Sequence, residues 1–502
     1  MPTIIHARYT LRGGVLVDDL AITVDGDAIV DAGTLTELGA RYPGADRVGG
    51  DDYILAPGFT NAHDHGRAVG TLALGVADNF LELWLGHLAR LPRIPPYLAA
   101  LYSGLQLLGS GVTAVAHSHN PSSWSELPHE IPEALRGYAD AGIRVAMHPP
   151  IVDQNQLVYA ERELFLDMLP PELRRRAGSA EAVDLSADDY FALLEDLYRN
   201  FHDSERHRAH IQASPAGGPW CGDELIIRAC EWARARRTRV QMHMLETRYQ
   251  RIYARKTWGK SFIRHLEDIG ALGDWLTLAH MVWVEDEDIE LLAERGVGVA
   301  HNISSNLRLR SGIAPVAMLV AAGVPVGIGL DGQTLDDDQD FLREMRLAWT
   351  IGNQSGMAAA DLDAETVWRM GASLAADISF GAEVPLGELE VGGLADLVLL
   401  EGEAIRRPAD YLPLKRLPAL LLRRCRREHV RHVMVGGEWV LRDGAHVSVN
   451  ARDVERELWE RLRFAARDLP SELEAHLRRF YRAWDDEELP PLPGQSHQND
   501  SG

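Results

Sequence analysis

Two histidines two residues apart, His63 and His65, close an apolar run that begins at Ala56. In an extended strand residues i and i+2 face the same side, so both imidazoles would point one way and can share a metal ion. Alone the pair is a weak signal, with chance or surface placement as the ordinary alternative. The ends of other β-branched runs strengthen it. His243, His280, His301 and Asp331 each close such a run, where barrels of parallel strands assemble catalytic groups from several strands. Solvated surface histidines have no reason to recur at that register.

The runs in question cover residues 112–117, 143–148, 209–214, 239–243, 276–280, 298–301 and 325–331, with a first strand leading up to His65. Between Ala56 and about Phe380 they alternate with longer amphipathic stretches, the pattern of strands and crossover helices around a parallel sheet. Eight such strands predict an α/β fold, a TIM-type (β/α)8 barrel, rather than an open doubly wound sheet. No Gly-rich phosphate loop follows the first strand. Short strands and turns before the barrel (Gly13-Gly14, Asp25-Gly26) resume after Gly392 and predict a small composite β-sandwich domain built from both flanks. The expected division is residues 1–56 plus 386–450 for that domain, 57–385 for the barrel, 451–486 for C-terminal helices and 487–502 for a disordered tail. The long connection 149–204, between the third and fourth strands, is of a length that often acts as a lid.

A chain of 502 residues, 46% hydrophobic and 25% charged, can bury a large core. Its formal charge of −23 repels phosphate backbones, which argues against nucleic acid as a partner. No apolar run approaches the roughly 20 residues that span a bilayer, and Met1 to Leu11 lacks a basic segment followed by an apolar one. No membrane association and a cytoplasmic location are therefore expected. Cys221, Cys230 and Cys425 are too few and too scattered for a disulfide framework or a thiolate metal cluster.

Several segments, in order and spacing, carry a resemblance. They are Ala56-Pro57-Gly58-Phe59-Thr60-Asn61-Ala62-His63-Asp64-His65, His243-Met244-Leu245-Glu246, Ala279-His280 and His301-Asn302-Ile303-Ser304-Ser305-Asn306-Leu307. Ser311-Gly312-Ile313-Ala314-Pro315, Gly329-Leu330-Asp331-Gly332 and the closing Leu386-Gly387 with Gly392-Gly393-Leu394-Ala395-Asp396-Leu397 complete the set. Over nearly its whole length the chain resembles the amidohydrolase superfamily, in the branch that contains cytosine deaminase, S-adenosylhomocysteine deaminase and the triazine hydrolases.

The resemblance implies that His63, His65, His243 and Asp331 ligate one divalent ion, Zn²⁺ first and Fe²⁺ as the alternative, with an open position for water. It implies that Glu246 carries a proton from that water to the leaving nitrogen, and that His280 orients the attack. Without the resemblance, Glu246 reads as a solvated loop carboxylate and His280 as a satisfied core histidine. Two-metal relatives bridge their ions with a carboxylated lysine at the end of strand four. Here that stretch reads His210-Ile211-Gln212-Ala213-Ser214, and the only lysines are Lys256, Lys260 and Lys415, so a mononuclear site is expected.

Other positions keep two readings. His117 and His119, a second His-x-His, and His148 end the second and third strands, where they would touch substrate or pack. His301 and Asn306 would shape the pocket or hold a loop. Trp220 would stack on a planar substrate or pack its own loop, and Arg248 follows Glu246 closely enough to reach a substrate. Deaminases of this branch commonly carry a glutamine just after the His-x-His. Gly66-Arg67-Ala68-Val69 stands here, and Arg67 suits an anionic or carbonyl group better than a base edge.

The reading that follows is hydrolysis of a C–N bond in a small, cyclic molecule by deamination or by amide or ring opening. Amide or carbamate hydrolysis of a specialised metabolite or peptide is the alternative. A silent ligand-binding barrel is a reading from a different class, disfavoured because the complete ligand set with Glu246 would have no reason to persist in it. Barrels of this branch are usually dimers or larger, so a homodimer or larger homo-oligomer is expected from the resemblance.

Overall fold

The computed structural model describes residues 1–178, 185–353, 356–357, 359–409, 411–462 and 469–493. Eight short parallel strands form its centre: β1 (Phe59–Asp64), β2 (Val112–Ser118), β3 (Arg144–His148), β4 (Ala209–Ile211), β5 (Val240–Met244), β6 (Leu276–His280), β7 (Gly298–His301) and β8 (Val326–Ile328). They are buried on both faces, which is why they read as continuous apolar runs. Hydrogen bonding joins them in two arcs, β4-β3-β2-β1 and β5-β6-β7-β8. Parallel bridges Ala213–Val240 and Gly217–His243 link the arcs on one side. On the other the Asp331 N–H donates to His63 O at 2.9 Å. This is the TIM-type α/β arrangement. Below the strands, helix Ser373–Phe380 packs Ala375 and Ile378 against Ala62, Ala279 and Ala300. A Cβ at Gly327 would meet Ala375 Cα at 2.8 Å, so only glycine permits that approach.

The eighth strand is shorter than the 325–331 expected. After Ile328 the chain leaves the sheet and Asp331 takes a left-handed conformation, φ 57°, that turns its carboxylate toward β1. The fourth ends at residue 211; Gln212 N–H still donates to Met147 O at 3.0 Å and Ala213 bridges to Val240 before Ser214–Pro215 pairs with Pro150–Ile151.

Both flanks combine, their strands joined by hydrogen bonds into one nine-stranded sheet whose far edge bridges back from Ala28 to Leu394. The strand Asp46–Pro57 is the reason: it pairs in parallel with Thr3–Arg12 on one edge and antiparallel with Leu397–Glu401 on the other, so the C-terminal strands extend the N-terminal ones sideways. Ile5, Ile22, Leu55, Leu397, Leu399 and Met434 form its core. Asp396 in the closing glycine-rich motif accepts from Arg144 of β3 at 2.9 and 2.8 Å, both side chains fully buried, and so pins this sheet to the barrel.

Three helices matter for the site: α1 (Leu81–Leu88), α2 (Arg248–Trp258) and α3 (Ser471–Arg482). The connection 149–204 carries helices Arg162–Leu166, Pro171–Gly178 and Ala187–Phe201, with residues 179–184 outside the described set. Of the tail expected to be disordered, Glu487 and Pro490 make defined contacts, while 494–502 lie outside the described residues. No helix among the described residues is long and apolar enough to cross a membrane.

Candidate metal centre

His63 and His65 leave β1 on its inner face, as the alternation requires, and meet His243 from the end of β5 and Asp331 from beyond β8. One ligand atom from each of the four lies within 4.8 Å of all the others. His65 Nε2 is 3.0 Å and His63 Nε2 3.3 Å from Asp331 Oδ1, and His243 Nε2 is 3.4 Å from His65 Nε2.

The far side of each ring decides what the near side offers. His65 Nδ1 donates to Ser118 O at 2.7 Å and His243 Nδ1 to Ala216 O at 2.5 Å; a carbonyl can only accept, so both rings present a bare Nε2. His63 Nδ1 faces Gln241 Oε1 at 2.7 Å, while Gln241 Nε2 donates to Ala62 O. Burial pushes His65 down to about 3, with Arg67 adding to it, and burial followed by His63 holds His243 well below its ordinary value. Neutral imidazoles result. Ser305 Oγ donates to Asp331 Oδ2 at 2.5 Å and leaves Oδ1 free. His63 Nε2 and Asp331 Oδ1 are buried without a hydrogen-bond partner, an arrangement that is costly for polar atoms unless a cation satisfies them. The residues present fit a divalent ion.

Glu246 lies in the loop after β5, 2% exposed, its N–H donating to Gln250 Oε1 at 2.9 Å. Its Oε1 has no partner, and its Oε2 stands 3.6 Å from His280 Nε2. Burial first, then Asp331, hold the Glu246 carboxyl well above the usual range. His280 is fixed from behind by Asn306 Oδ1, 2.9 Å from its Nδ1, and burial pushes it down to about 4. An acid and a ring nitrogen thus stand beside the ligand cluster, neither engaged elsewhere.

The remaining expected residues fall into different places. Asn306 serves His280, and His301 is buried with neither ring nitrogen bonded. His117 and His119 are engaged in a chain of contacts, Tyr138 Oη to His117 at 2.8 Å, His117 to His119 at 3.2 Å and His119 to Glu130 at 2.9 Å. His148 bonds Gln212 Oε1 at 2.8 Å, within the strand-four stretch 210–214 that contains no lysine. Arg67 donates to Asp331 O at 2.7 Å and lies 5.3 Å over the Trp84 ring, at the rim of the site. Trp220 packs edge-on to Tyr159 at 5.6 Å. Arg248 does not face the site: it donates to Asp485 O and Glu487 O, each at 2.8 Å, because the C-terminal segment crosses the start of α2.

Gln241, Ser305, Glu82 and Tyr159 were not singled out from sequence. Gln241 was within reach, since it precedes His243 by two and shares its inward face. Ser305 lies inside the quoted 301–307 segment. Glu82, 7% exposed, accepts from Thr247 Oγ1 at 2.5 Å across 165 residues, which no local pattern reveals.

A model of the amidohydrolase family matches residues 54–440. The 5-methylthioadenosine/S-adenosylhomocysteine deaminase of Thermodesulfovibrio yellowstonii is 28% identical over 483 residues, 92% of this chain and 98% of the relative. The 5'-deoxyadenosine deaminase of Methanopyrus kandleri is 28% identical over 462 residues, 89% of this chain and 96% of the relative. Among solved structures, an adenosine deaminase from Xanthomonas campestris with bound zinc superimposes with a TM-score of 0.76 at 25% identity, over 92% of this chain and 98% of that one. The zinc complex of atrazine chlorohydrolase from Arthrobacter aurescens gives a TM-score of 0.76 at 21% identity, over 92% and 100%, a likeness of fold alone.

Proposed function

The chain belongs to the amidohydrolase family, and from that premise we propose that it is a mononuclear metal-dependent hydrolase that deaminates a small amino-substituted heterocycle. The observation that carries this reading is the convergence of His63 Nε2 and Asp331 Oδ1, buried and unpartnered, with Glu246 Oε1 and His280 Nε2 beside them in the same condition. His63, His65, His243 and Asp331 would hold the ion, zinc by the precedent of the zinc-bound relative. When bound, a divalent ion supplies Lewis acidity and makes water a competent nucleophile near neutral pH.

The protein's own groups account for the rest. Glu246, buried beside the ligand cluster with Oε1 unpartnered, would take a proton from the attacking water and deliver it to the leaving nitrogen. His280, its Nδ1 fixed on Asn306, holds Nε2 toward the reacting centre and orients the oxygen that attacks. Burial of the site excludes bulk water and strengthens both contacts. Adenosine derivatives are the first substrate class to try, because the deaminase relatives extend over nearly the whole chain. Arg67 at the rim favours a substrate with a carbonyl or anionic substituent over a plain base. A fully closed eight-stranded barrel, a separate small β domain of residues 1–56 and 386–450, and a homodimer or larger homo-oligomer complete the proposal.

The test is a screen of zinc-loaded protein against adenosine derivatives, aminated triazines, cyclic amides and carbamates, following ammonia release together with product mass. Ammonia with a one-unit mass gain supports deamination. Turnover of an amide or carbamate alone, without ammonia from any amino heterocycle, would replace it with amide hydrolysis.

A further inference from the structure

The atoms placed for chemistry are shut off from solvent: Glu246 Oε1, His280 Nε2, His63 Nε2 and Asp331 Oδ1 are all buried. Of the four ligand residues only His243 is partly exposed, so direct access to these atoms is narrow and widens if part of the surrounding chain moves. The segment that lies across the Glu246 loop is the C-terminal one. Helix α3 sends Tyr481, 5% exposed, against Tyr159 and Tyr249, ring centroids 5.4 and 5.0 Å away. The Tyr481 hydroxyl accepts the Tyr159 N–H at 3.2 Å. Gln250 Nε2 reaches the Tyr159 hydroxyl at 3.4 Å, and Gln250 Oε1 accepts the Glu246 N–H. On the neighbouring side Glu82 of α1 takes the hydroxyl of Thr247, next in sequence to Glu246. The C-terminal segment thus rests on the side chains that hold the Glu246 loop.

Beyond α3 the chain is clasped by α2, which begins two residues after Glu246. Besides the two bonds from Arg248, Tyr249 Oη donates to Asp485 Oδ1 at 2.9 Å, Arg251 donates to Pro490 O at 2.7 Å and Lys256 pairs with Glu487 at 2.5 Å. Part of the clasp lies at the solvent edge, with Arg248 29% and Lys256 47% exposed, while Arg251 is buried and Leu477 and Tyr481 of α3 pack into the core. Exposed ion pairs are worth about 0–1 kcal/mol each and weaken with salt. A terminal segment whose outer edge is fastened in part by such pairs can open locally while the barrel stays folded.

We propose that residues 469–493 form a gate over the active site, in which the α2 clasp on Asp485, Glu487 and Pro490 releases to admit substrate and reseats Tyr481 on Tyr159 to complete the wall above Glu246. The proposal rests on the metal-centre reading only for one arm of its test. In that arm, full-length zinc-loaded protein is mixed with excess 4-(2-pyridylazo)resorcinol, and the rate of zinc capture reports opening. The variant Arg248→Ala with Lys256→Ala is expected to release zinc about 10-fold faster, the wild type to release faster on going from about 50 to about 500 mM salt. Release at the wild-type rate from a folded, zinc-loaded variant overturns the gate.

The second arm needs neither variant nor metal. Backbone hydrogen exchange of the unmodified protein is expected to be about 100-fold faster in residues 473–487 than in β5, and to accelerate with salt. Exchange of that segment in step with β5, or opening confined to the 149–204 connection, overturns the proposal. A chain that binds no zinc would sink the proposed function and leave the exchange experiment to decide the gate.

Discussion

Gln241 Oε1 stands 2.7 Å from His63 Nδ1, while His63 Nε2, across the ring, lies 3.3 Å from Asp331 Oδ1. Because the Gln241 amide nitrogen donates to Ala62 O, its oxygen must accept, and that fixes both the tautomer and the tilt of His63. Gln241→Leu keeps the volume and removes the acceptor. It is expected to lower zinc affinity by about 10–100-fold, measured by chelator competition. An unchanged affinity would mean that packing alone orients the ring.

The Arg144–Asp396 pair, fully buried on both sides, links barrel and flanking sheet, and Asp396 Oδ1 also accepts the Gly436 N–H at 2.7 Å. Removing one partner strands a buried charge and an unsatisfied amide. Asp396→Ala is expected to cost about 3–5 kcal/mol in unfolding free energy, read from denaturant titration. A loss within that of an ordinary surface substitution would show that the guanidinium finds solvent.

Asp288 gives a pH dependence away from the site. Burial, with Glu285 adding to it, raises its carboxyl to about 6 from an ordinary value of 3.8, although Ser261 Oγ donates to it at 2.5 Å. The folded state then binds this proton more tightly than the unfolded one. Its contribution is fully present below about pH 4 and is lost as pH rises through about 6, on the order of 3 kcal/mol at most. Asp288→Asn is expected to flatten the stability profile between those pH values, seen in melting temperature against pH. A profile as steep as the wild type's would assign the slope to other groups.

How far the sequence carries this molecule follows from which interactions are local. Strand ends and the inward pair at His63 and His65 are set by period-two alternation, and the ligand cluster could be named from them with the family resemblance. Arg248 and Glu82 could not be placed, because what fixes each is a partner about 165 to 240 residues away, Thr247 for Glu82 and the segment past α3 for Arg248. That Leu397–Glu401 would pair with Asp46–Pro57 could not be read either, because about 340 residues separate the two strands.

The last prediction separates holding the ion from moving the proton. Glu246 is not among the four ligand residues, and its Oε2 to His280 Nε2 separation of 3.6 Å is too long for a hydrogen bond, so the carboxyl is placed but not locked. Glu246→Gln preserves shape and the backbone bond to Gln250 while removing the exchangeable proton. Zinc content should stay at the wild-type level, and kcat should fall by about 10²–10⁴-fold with a much smaller change in KM. His63→Ala should instead lose zinc and activity together. If Glu246→Gln also lost zinc, or kept full turnover, Glu246 would be a structural acid of the loop and proton transfer would have to be assigned to another group.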